Sequence, residues 1–150
     1  MSDRDDWDPA ELTDPAAGDG SPTVEVRTTA SAALIPTIRA VASDLAARAD
    51  FDLDAISDLR MAVDEACATL VDVAAPGSAL RCRFQVRQDR IDVSAEVEGA
   101  GVDTTVATDT FGWRVLETLT DEVSVSRTDG PDGRPVVGIV LGKSAGATER

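Results

Sequence analysis

The chain has 150 residues, of which 43% are hydrophobic and 28% are charged, and it carries a formal net charge of -14 at pH 7 with no histidine. This length is typical of one domain with its own core. The negative charge argues against direct nucleic-acid binding, which needs a basic face, and the missing histidine excludes Ser-His-Asp and Cys-His nucleophile systems and His-ligated zinc within this chain.

Residues 1–21 form the first segment, with seven acidic side chains, one arginine and no hydrophobic period. We predict a disordered acidic tail that keeps the protein soluble, with a flexible arm for a basic partner as the alternative. The segment lacks the basic start and apolar core of a signal peptide, and no apolar run approaches the ~18 residues of a membrane helix. We therefore expect a cytoplasmic protein without a membrane span.

A strand and a helix are predicted next. The run TVEVRTT from Thr23 alternates as a strand does. In SAALIPTIRAVASDLAARAD, four apolar side chains recur at spacings of four and three on one helical face: Leu34, Ile38, Val41 and Leu45. Because a helix tolerates proline best in its first turn, Pro36 predicts a start at Leu34 or Ile35.

The second helix has the clearest pattern in the chain. Asp52 or Asp54 can cap it, and it should end before Pro76. Its apolar residues recur at three and four and predict a core stripe: Ile56, Leu59, Val63, Ala66, Leu70 and Val73. Polar residues align on another face: Asp58, Glu65, Thr69 and Asp72. Glu65 and Thr69 lie one turn apart, either on an ordinary solvated face or in a site.

A hairpin follows, because LRCRFQV and IDVSAEV both alternate and the joint RQDR is short. One face is predicted to lie on the core: Leu80, Cys82, Phe84, Val86, Ile91, Val93, Ala95 and Val97. On the other face three arginines can oppose three acids: Arg81, Arg83 and Arg87 against Asp92, Glu96 and Glu98. Cys67 and Cys82 fit neither a disulfide framework nor a CxxC metal site, so we predict buried packing, with a redox role as the alternative.

A glycine-containing loop and a third helix come after the hairpin. Gly99 and Gly101 begin the loop, which runs to Thr110, and FGWRVLETL resumes a helical pattern. A glycine-rich turn before a helix N-terminus favours phosphate groups, although GAG alone is a weak signal. Strands EVSVSR and VVGIVLG, joined by DGPDGRP, complete the pattern before the loose tail SAGATER.

The order of elements predicts an α+β fold, a two-layer sandwich in which helices cover one face of a mostly antiparallel sheet. The domain is expected to span residues 22–143, between the acidic tail of residues 1–21 and a loose tail of residues 144–150.

Two motifs resemble a known family. DLRMAVDEACATLV resembles the N-box of the GHKL ATPase fold (the Bergerat type) in anti-sigma factors of the RsbW and SpoIIAB type, and FGWRVLETLTDEV resembles the segment that begins at their second glycine box. The resemblance spans about Val24 to Gly142 and is strongest to the actinobacterial anti-sigma F branch. It implies ATP with magnesium between the N-box helix and the glycine loops, and a homodimer. It also implies a sigma factor and an anti-anti-sigma factor as partners, the latter phosphorylated on Ser or Thr by many members.

The resemblance assigns roles position by position. Glu65 matches the glutamate that orients or deprotonates the attacking hydroxyl, and Thr69 stands where the family has its magnesium-binding asparagine. Val97 stands where an aspartate bonds the adenine amino group. The matching glycines are Gly99 and Gly101 in the first box and Gly112 in the second, where Thr110 replaces a partner glycine.

These departures affect nucleotide binding differently. A threonine hydroxyl can still ligate magnesium as a neutral oxygen, whereas valine cannot accept a hydrogen bond from adenine. We therefore predict an anti-sigma factor that sequesters a sigma F- or sigma B-like sigma factor, is released by an anti-anti-sigma antagonist, and has a degenerate ATP site. The alternatives are an active ATP-dependent serine/threonine kinase of that antagonist and, more remotely, an unrelated acidic scaffold. Arg114 and Trp113 are candidates for a cleft or partner contact.

Overall fold

The computed structural model describes residues 21–146, so most of the two predicted tails lies outside the described residues. Within this range the chain forms five β-strands: β1 (Thr23–Thr29), β2 (Ala79–Arg87), β3 (Arg90–Glu98), β4 (Glu122–Asp129) and β5 (Pro135–Ser144). It also forms three α-helices: α1 (Ile35–Arg48), α2 (Leu53–Val73) and α3 (Phe111–Leu119). None of these three helices is both long enough and apolar enough to cross a lipid bilayer.

The strands form one sheet in the order β1-β2-β3-β5-β4, and every neighbouring pair is antiparallel. The helices lie on one face of it, where α2 contacts β2, β3 and β5. The following buried apolar side chains of the strands point to this covered face: Leu80, Cys82, Phe84, Ile91, Val93, Ala95, Val97, Val137, Ile139 and Leu141. The predicted α+β sandwich is thus confirmed, and the predicted hairpin is the β2–β3 pair.

Helix α1 begins at Ile35 as expected, with Pro36 in its first turn. Its predicted core stripe was only partly right, because Ile38 is buried while the other three members are partly buried. The centre of the buried face is instead formed by Ile35, Ile38, Ala42 and Ala46. The small alanines let α1 approach α2 closely, so the larger residues flank the contact instead of filling it.

Helix α2 follows its pattern more closely. The Asp52 carboxylate caps it by accepting a hydrogen bond of 2.8 Å from the backbone N–H of Ala55. Leu59, Val63 and Leu70 are buried against the sheet, as predicted. The predicted stripe extends too far at both ends, since its first and last members, Ile56 and Val73, are only partly buried.

The two cysteines lie in the core between α2 and β2. The sulfur atoms of Cys67 and Cys82 are 3.7 Å apart, and both side chains are buried. The hydrogen bond with Cys82, together with burial, raises the pKa of the Cys67 thiol. Both residues are therefore part of the buried core packing, as the sequence predicted.

The uncovered side of the sheet, called the outer face, carries charged residues from β1, β2, β3 and β4: Glu25, Arg27, Arg81, Arg83, Arg87, Arg90, Asp92, Glu96, Glu98 and Glu122. Two predicted cross-strand pairs form, Arg81–Glu96 at 2.5 Å and Arg87–Asp92 at 2.7 Å. Arg83 lies opposite Ser94, where the sequence had suggested an acid. The hairpin is thus held by charge pairs on one face and by apolar packing on the other.

Candidate functional site

Three residues predicted for the site meet where α2 lies beside the start of α3. The Thr69 hydroxyl donates a 3.4 Å hydrogen bond to Oε2 of Glu65, one turn earlier on α2. Gly112 lies in the first turn of α3, and a Cβ at this position would overlap the Glu65 carboxylate. Because Gly112 has no side chain, the first turn of α3 can lie directly on Glu65.

The N-terminus of α3 is formed by a residue that the resemblance had marked only as a lost glycine. The Thr110 hydroxyl accepts a 3.0 Å hydrogen bond from the backbone N–H of Trp113 and so caps the helix. The N-terminus of a helix carries partial positive charge and favours anions. The Glu65 carboxylate, which lies against Gly112, therefore places an acidic group in the first turn of α3.

The neighbouring acid, Asp64, serves a different contact. Its Oδ2 accepts a 2.9 Å hydrogen bond from Nη1 of Arg39 on α1. Its Oδ1 is buried and has no hydrogen-bond partner among residues 21–146. Asp64 thus ties α1 to α2, while Glu65 faces α3.

The loop after β3 starts beside the C-terminal end of α2, where Ala74 and Gly99 form an isolated antiparallel bridge. Its first amide groups bond within the chain. The N–H groups of Gly99 and Ala100 donate to the carbonyls of Pro135 and Val73 at 2.8 and 3.0 Å. A Cβ on Gly99 would come within 2.6 Å of Thr104 Cβ, so the Thr104 side chain fills the space beside this glycine.

Thr104 also closes the loop on itself. Its hydroxyl accepts a 2.9 Å hydrogen bond from the N–H of Gly101, and its own N–H donates to the carbonyl of Gly101 at 3.1 Å. The N–H groups of Gly99, Ala100 and Gly101 are therefore all directed to acceptors within the chain.

A strand residue that the sequence did not single out holds the same loop. Arg127 on β4 donates from Nη2 to the carbonyl of Val102 at 3.0 Å and from Nε to the carbonyl of Thr104 at 3.3 Å. No local pattern could reveal this contact, because it joins residues more than twenty positions apart through side chain and backbone. Arg39 was missed for the same reason.

Val97 lies in the covered face of the sheet and is 2% exposed. Its neighbours in register are Leu80 and Val137, both buried. Glu96 and Glu98 point to the outer face, as strand alternation predicted. The position assigned to the adenine contact is thus part of the hydrophobic core.

The predicted site residues form two groups along α2. Glu65 contacts both Thr69 and Gly112. Val97, Gly99 and Gly101 lie along the end of β3 and the loop beside the C-terminal end of the helix. In the described part of the chain, no cluster of three or more acidic or cysteine side chains could hold a metal ion. Oxygen donors for a cation in the first group are the Glu65 carboxylate and the Thr69 hydroxyl.

The two remaining candidate residues, Trp113 and Arg114, differ in exposure. Trp113 is 8% exposed and packs in the core. Arg114 is exposed on a different side of α3 from Gly112 and lies beside Phe111, which is 80% exposed. Residues of this outward side of α3 line a shallow cavity of about 220 Å³: Phe111, Arg114, Val115, Thr118 and Leu119.

Comparison with known proteins gives concordant matches. The family model of the histidine kinase-like ATPase domain matches residues 28–137. The anti-sigma-F factor RsbW of Mycobacterium tuberculosis (strain H37Rv) is 36% identical over 123 residues, which cover 79% of this chain and 69% of that protein. The serine-protein kinase RsbW of Halalkalibacterium halodurans is 29% identical over 82 residues, which cover 54% of this chain and 51% of that protein.

Proposed function

The chain belongs to the histidine kinase-like ATPase domain family, in its RsbW branch, and we propose that it is an anti-sigma factor that sequesters a sigma F- or sigma B-like sigma factor. An anti-anti-sigma factor would compete for it and release the sigma factor. The relative named anti-sigma-F factor RsbW, similar over most of the chain, is the observation that carries this proposal.

We propose further that the ATP site is degenerate. At the adenine position, buried Val97 offers no acceptor, and a lost buried hydrogen bond weakens binding by ~1–3 kcal/mol. The N–H groups of Gly99 and Gly101, which would cradle a phosphate, already have acceptors. The Glu65 carboxylate at the start of α3 would repel a phosphate. Together these features do not fit a tightly held magnesium–ATP complex.

The charge of the protein suits a sigma factor as partner. Sigma factors bind DNA and so present basic segments, and a chain with a net charge of -14 attracts such segments at long range. Electrostatic steering raises the association rate and is weakened by salt. We propose that the outward side of α3 forms part of the partner surface, where the exposed Phe111 and Arg114 supply an apolar and a cationic contact.

The test is association with the sigma factors of the same genome, measured by biolayer interferometry without nucleotide and at increasing salt. We expect one sigma factor to bind without ATP and to associate more slowly as salt rises. Phe111→Ala should weaken the complex by ~1–2 kcal/mol if the α3 surface forms part of the interface. Leu53→Ala is the matched control, because Leu53 is 83% exposed at the start of α2. Failure of every sigma factor to bind would reject the proposal.

The alternative is an active serine/threonine kinase of the antagonist. The relative named serine-protein kinase RsbW and the contact of Glu65 with Thr69 favour it. Its first test is the melting temperature with millimolar ATP and magnesium, since a ligand at about 100 times its Kd adds ~2.7 kcal/mol. A clear upward shift, with phosphorylation of the antagonist that disappears in Glu65→Ala, would establish the kinase. An unchanged melting temperature supports the degenerate site.

We also propose that the protein is cytoplasmic and, as the resemblance implies, that it forms a homodimer. Strands β1 and β4 form the two edges of the sheet, and an edge strand can pair with a second copy. Sedimentation equilibrium tests this directly, with a monomer at micromolar concentration as the contrary result.

A further inference from the structure

Two arginines lie directly opposite each other on the outer face, at the strand ends nearer the helix connections. Arg27 on β1 and Arg81 on β2 are register partners. Like charges in this arrangement destabilise a sheet unless an anion lies between them. Arg81 has Glu96 at 2.5 Å, but Arg27 makes no ion pair with any residue from 21 to 146.

The other end of the same hairpin shows how such a pair is neutralised. Arg87 and Arg90 are also register partners. The Asp92 carboxylate lies between them, with one oxygen 2.7 Å from Arg87 Nε and the other 2.8 Å from Arg90 Nε. The pair of Arg27 and Arg81 has no equivalent shared carboxylate among the described residues.

The outer face also has two concave regions that could hold a peptide. One, of about 460 Å³, is lined by Arg27 and Arg81. The other, of about 290 Å³, is lined by Arg83, Gln85 and Val140. Val140 is 38% exposed and gives this second region an apolar floor. Within residues 21–146 the buried Nε2 of Gln85 has no acceptor.

The chain itself supplies an acidic segment at the border of this face. Residues 1–20 contain seven carboxylates and one arginine. They join the described chain beside the hairpin, because the carbonyl of Pro22 accepts a 2.9 Å hydrogen bond from the N–H of Val86. An extended chain spans ~3.3 Å per residue, so twenty residues exceed the ~30 Å length of β2. Trp7 stands between Asp6 and Asp8.

We propose that residues 1–20 lie across the outer face of the sheet, with carboxylates beside Arg27 and Arg81 and the indole of Trp7 over Val140. A segment with this composition cannot bury a core of its own, so it needs a surface to order it. Individually weak ion pairs suffice because the covalent link keeps the segment at high effective concentration. The segment then shields the arginines from any acidic peptide of another protein.

The fluorescence of Trp7 tests this proposal in the full chain. The spectrum of Trp7→Phe is subtracted from that of the wild type, which removes the contribution of the buried Trp113. At low salt we expect blue-shifted Trp7 emission that is shielded from acrylamide. Because salt screens the ion pairs, the quenching constant should rise roughly threefold, to that of a peptide of residues 1–20, in ~1 M NaCl.

Charge reversal on the outer face should have the same effect as salt. Arg27→Glu and the double variant Arg27→Glu/Arg81→Glu, each with its own Trp7→Phe counterpart, should expose Trp7 at low salt. Arg48→Glu is the matched control, because Arg48 is an exposed arginine at the end of α1. Arg27→Glu removes no ion pair with described residues, so it keeps the test valid should the double variant unfold.

Three results would overturn the proposal. Trp7 could be as open to acrylamide as the free peptide at low salt. Its shielding could be the same in Arg27→Glu and Arg48→Glu, which would place the segment elsewhere. Or its shielding could grow with protein concentration over the micromolar range, which would mean that the segment binds a second copy.

Discussion

The two faces of the sheet are built from alternating residues of the same strands, yet different forces hold them. On the covered face the side chains of β2, β3 and β5 are apolar and almost completely buried. On the outer face, arginines and carboxylates pair across strands and stay partly in water. Burial of an apolar side chain stabilises the covered face regardless of which apolar residue lies beside it. The stability of the outer face depends on whether residues of opposite charge lie next to each other. The covered face therefore fixes the fold, and the outer face is free to serve recognition.

The largest expected loss of stability follows from removing a large buried side chain on the covered face. Phe84 is fully buried, so Phe84→Ala should lower the free energy of unfolding by ~3–5 kcal/mol through lost burial and the cavity left behind. Its chain neighbour Gln85 points to the outer face, and Gln85→Ala should change stability by less than ~1 kcal/mol. Urea denaturation measures both. Equal losses would remove the energetic distinction between the faces.

The second prediction concerns the contact between α2 and α3, at the polar edge of the helix layer. We expect the packing there to be as close as on the covered face of the sheet. A Cβ at Gly112 overlaps Oε2 of Glu65, the free end of a flexible side chain that can turn aside, and alanine favours a helix more than glycine does, so Gly112→Ala should destabilise the fold by at most ~1 kcal/mol. Gly101→Ala is the control, because a Cβ there meets no atom within 4 Å. The loss should shrink in a Glu65→Ala background. A loss independent of Glu65 would show that the two residues are not in contact.

A third prediction concerns the outer face itself. A double-mutant cycle on Arg81 and Glu96 should give a coupling of ~0.5–1 kcal/mol at low salt that fades in ~1 M NaCl. The exposed pair Arg48–Asp44, one turn apart on α1, should couple by only ~0.3–0.5 kcal/mol. Thermal unfolding at two salt concentrations measures both. A coupling that salt leaves unchanged would mean that packing, and not charge, holds the outer face.

The smallest expected effect is a pH dependence at the edge of the sheet. Hydrogen bonds from the hydroxyl and N–H of Ser144 hold the pKa of Asp121 below its usual value. Since the folded pKa is depressed, this stabilisation is present above the unfolded pKa of about 4 and is lost as pH falls through the folded value. Relative to Asp121→Asn, the wild type should be more stable by several tenths of a kcal/mol near pH 6 and lose that advantage in acid.

Chemical denaturation between pH 2 and pH 7 follows this difference. The same exchange at Asp72, an exposed residue on α2, serves as the control for the change of one charge. An advantage of the wild type that is constant down to pH 2 would contradict the assigned cause.

Local patterns predicted most of the fold. Alternation located the β2–β3 hairpin and assigned its faces, and the Asp52 cap and the stop before Pro76 bounded α2. These features depend on residues near one another in the chain. The buried face of α1 differs from the predicted stripe, because it contains Ala42 and Ala46 in place of the larger residues. The packing of α1 against α2 determines which residues are buried, and a local sequence pattern does not contain this information.

The site was predictable to a smaller extent. The one-turn spacing of Glu65 and Thr69 already placed them together, and the resemblance pointed to Gly112. The cap at Thr110 and the contacts from Arg39 and Arg127 were not foreseen. The last two join distant segments through single side chains, and such contacts follow from the folded geometry alone.

The two buried thiols can report on the opening of the core between α2 and β2. Alkylating reagents react with the thiolate, and Cys67 is kept protonated and out of reach of solvent while α2 rests on β2. Labelling must then wait until this contact separates, so its rate measures how often the core opens. Because Cys67 and Cys82 are the chain's two cysteines, a bulk thiol assay reads this single event without any added label.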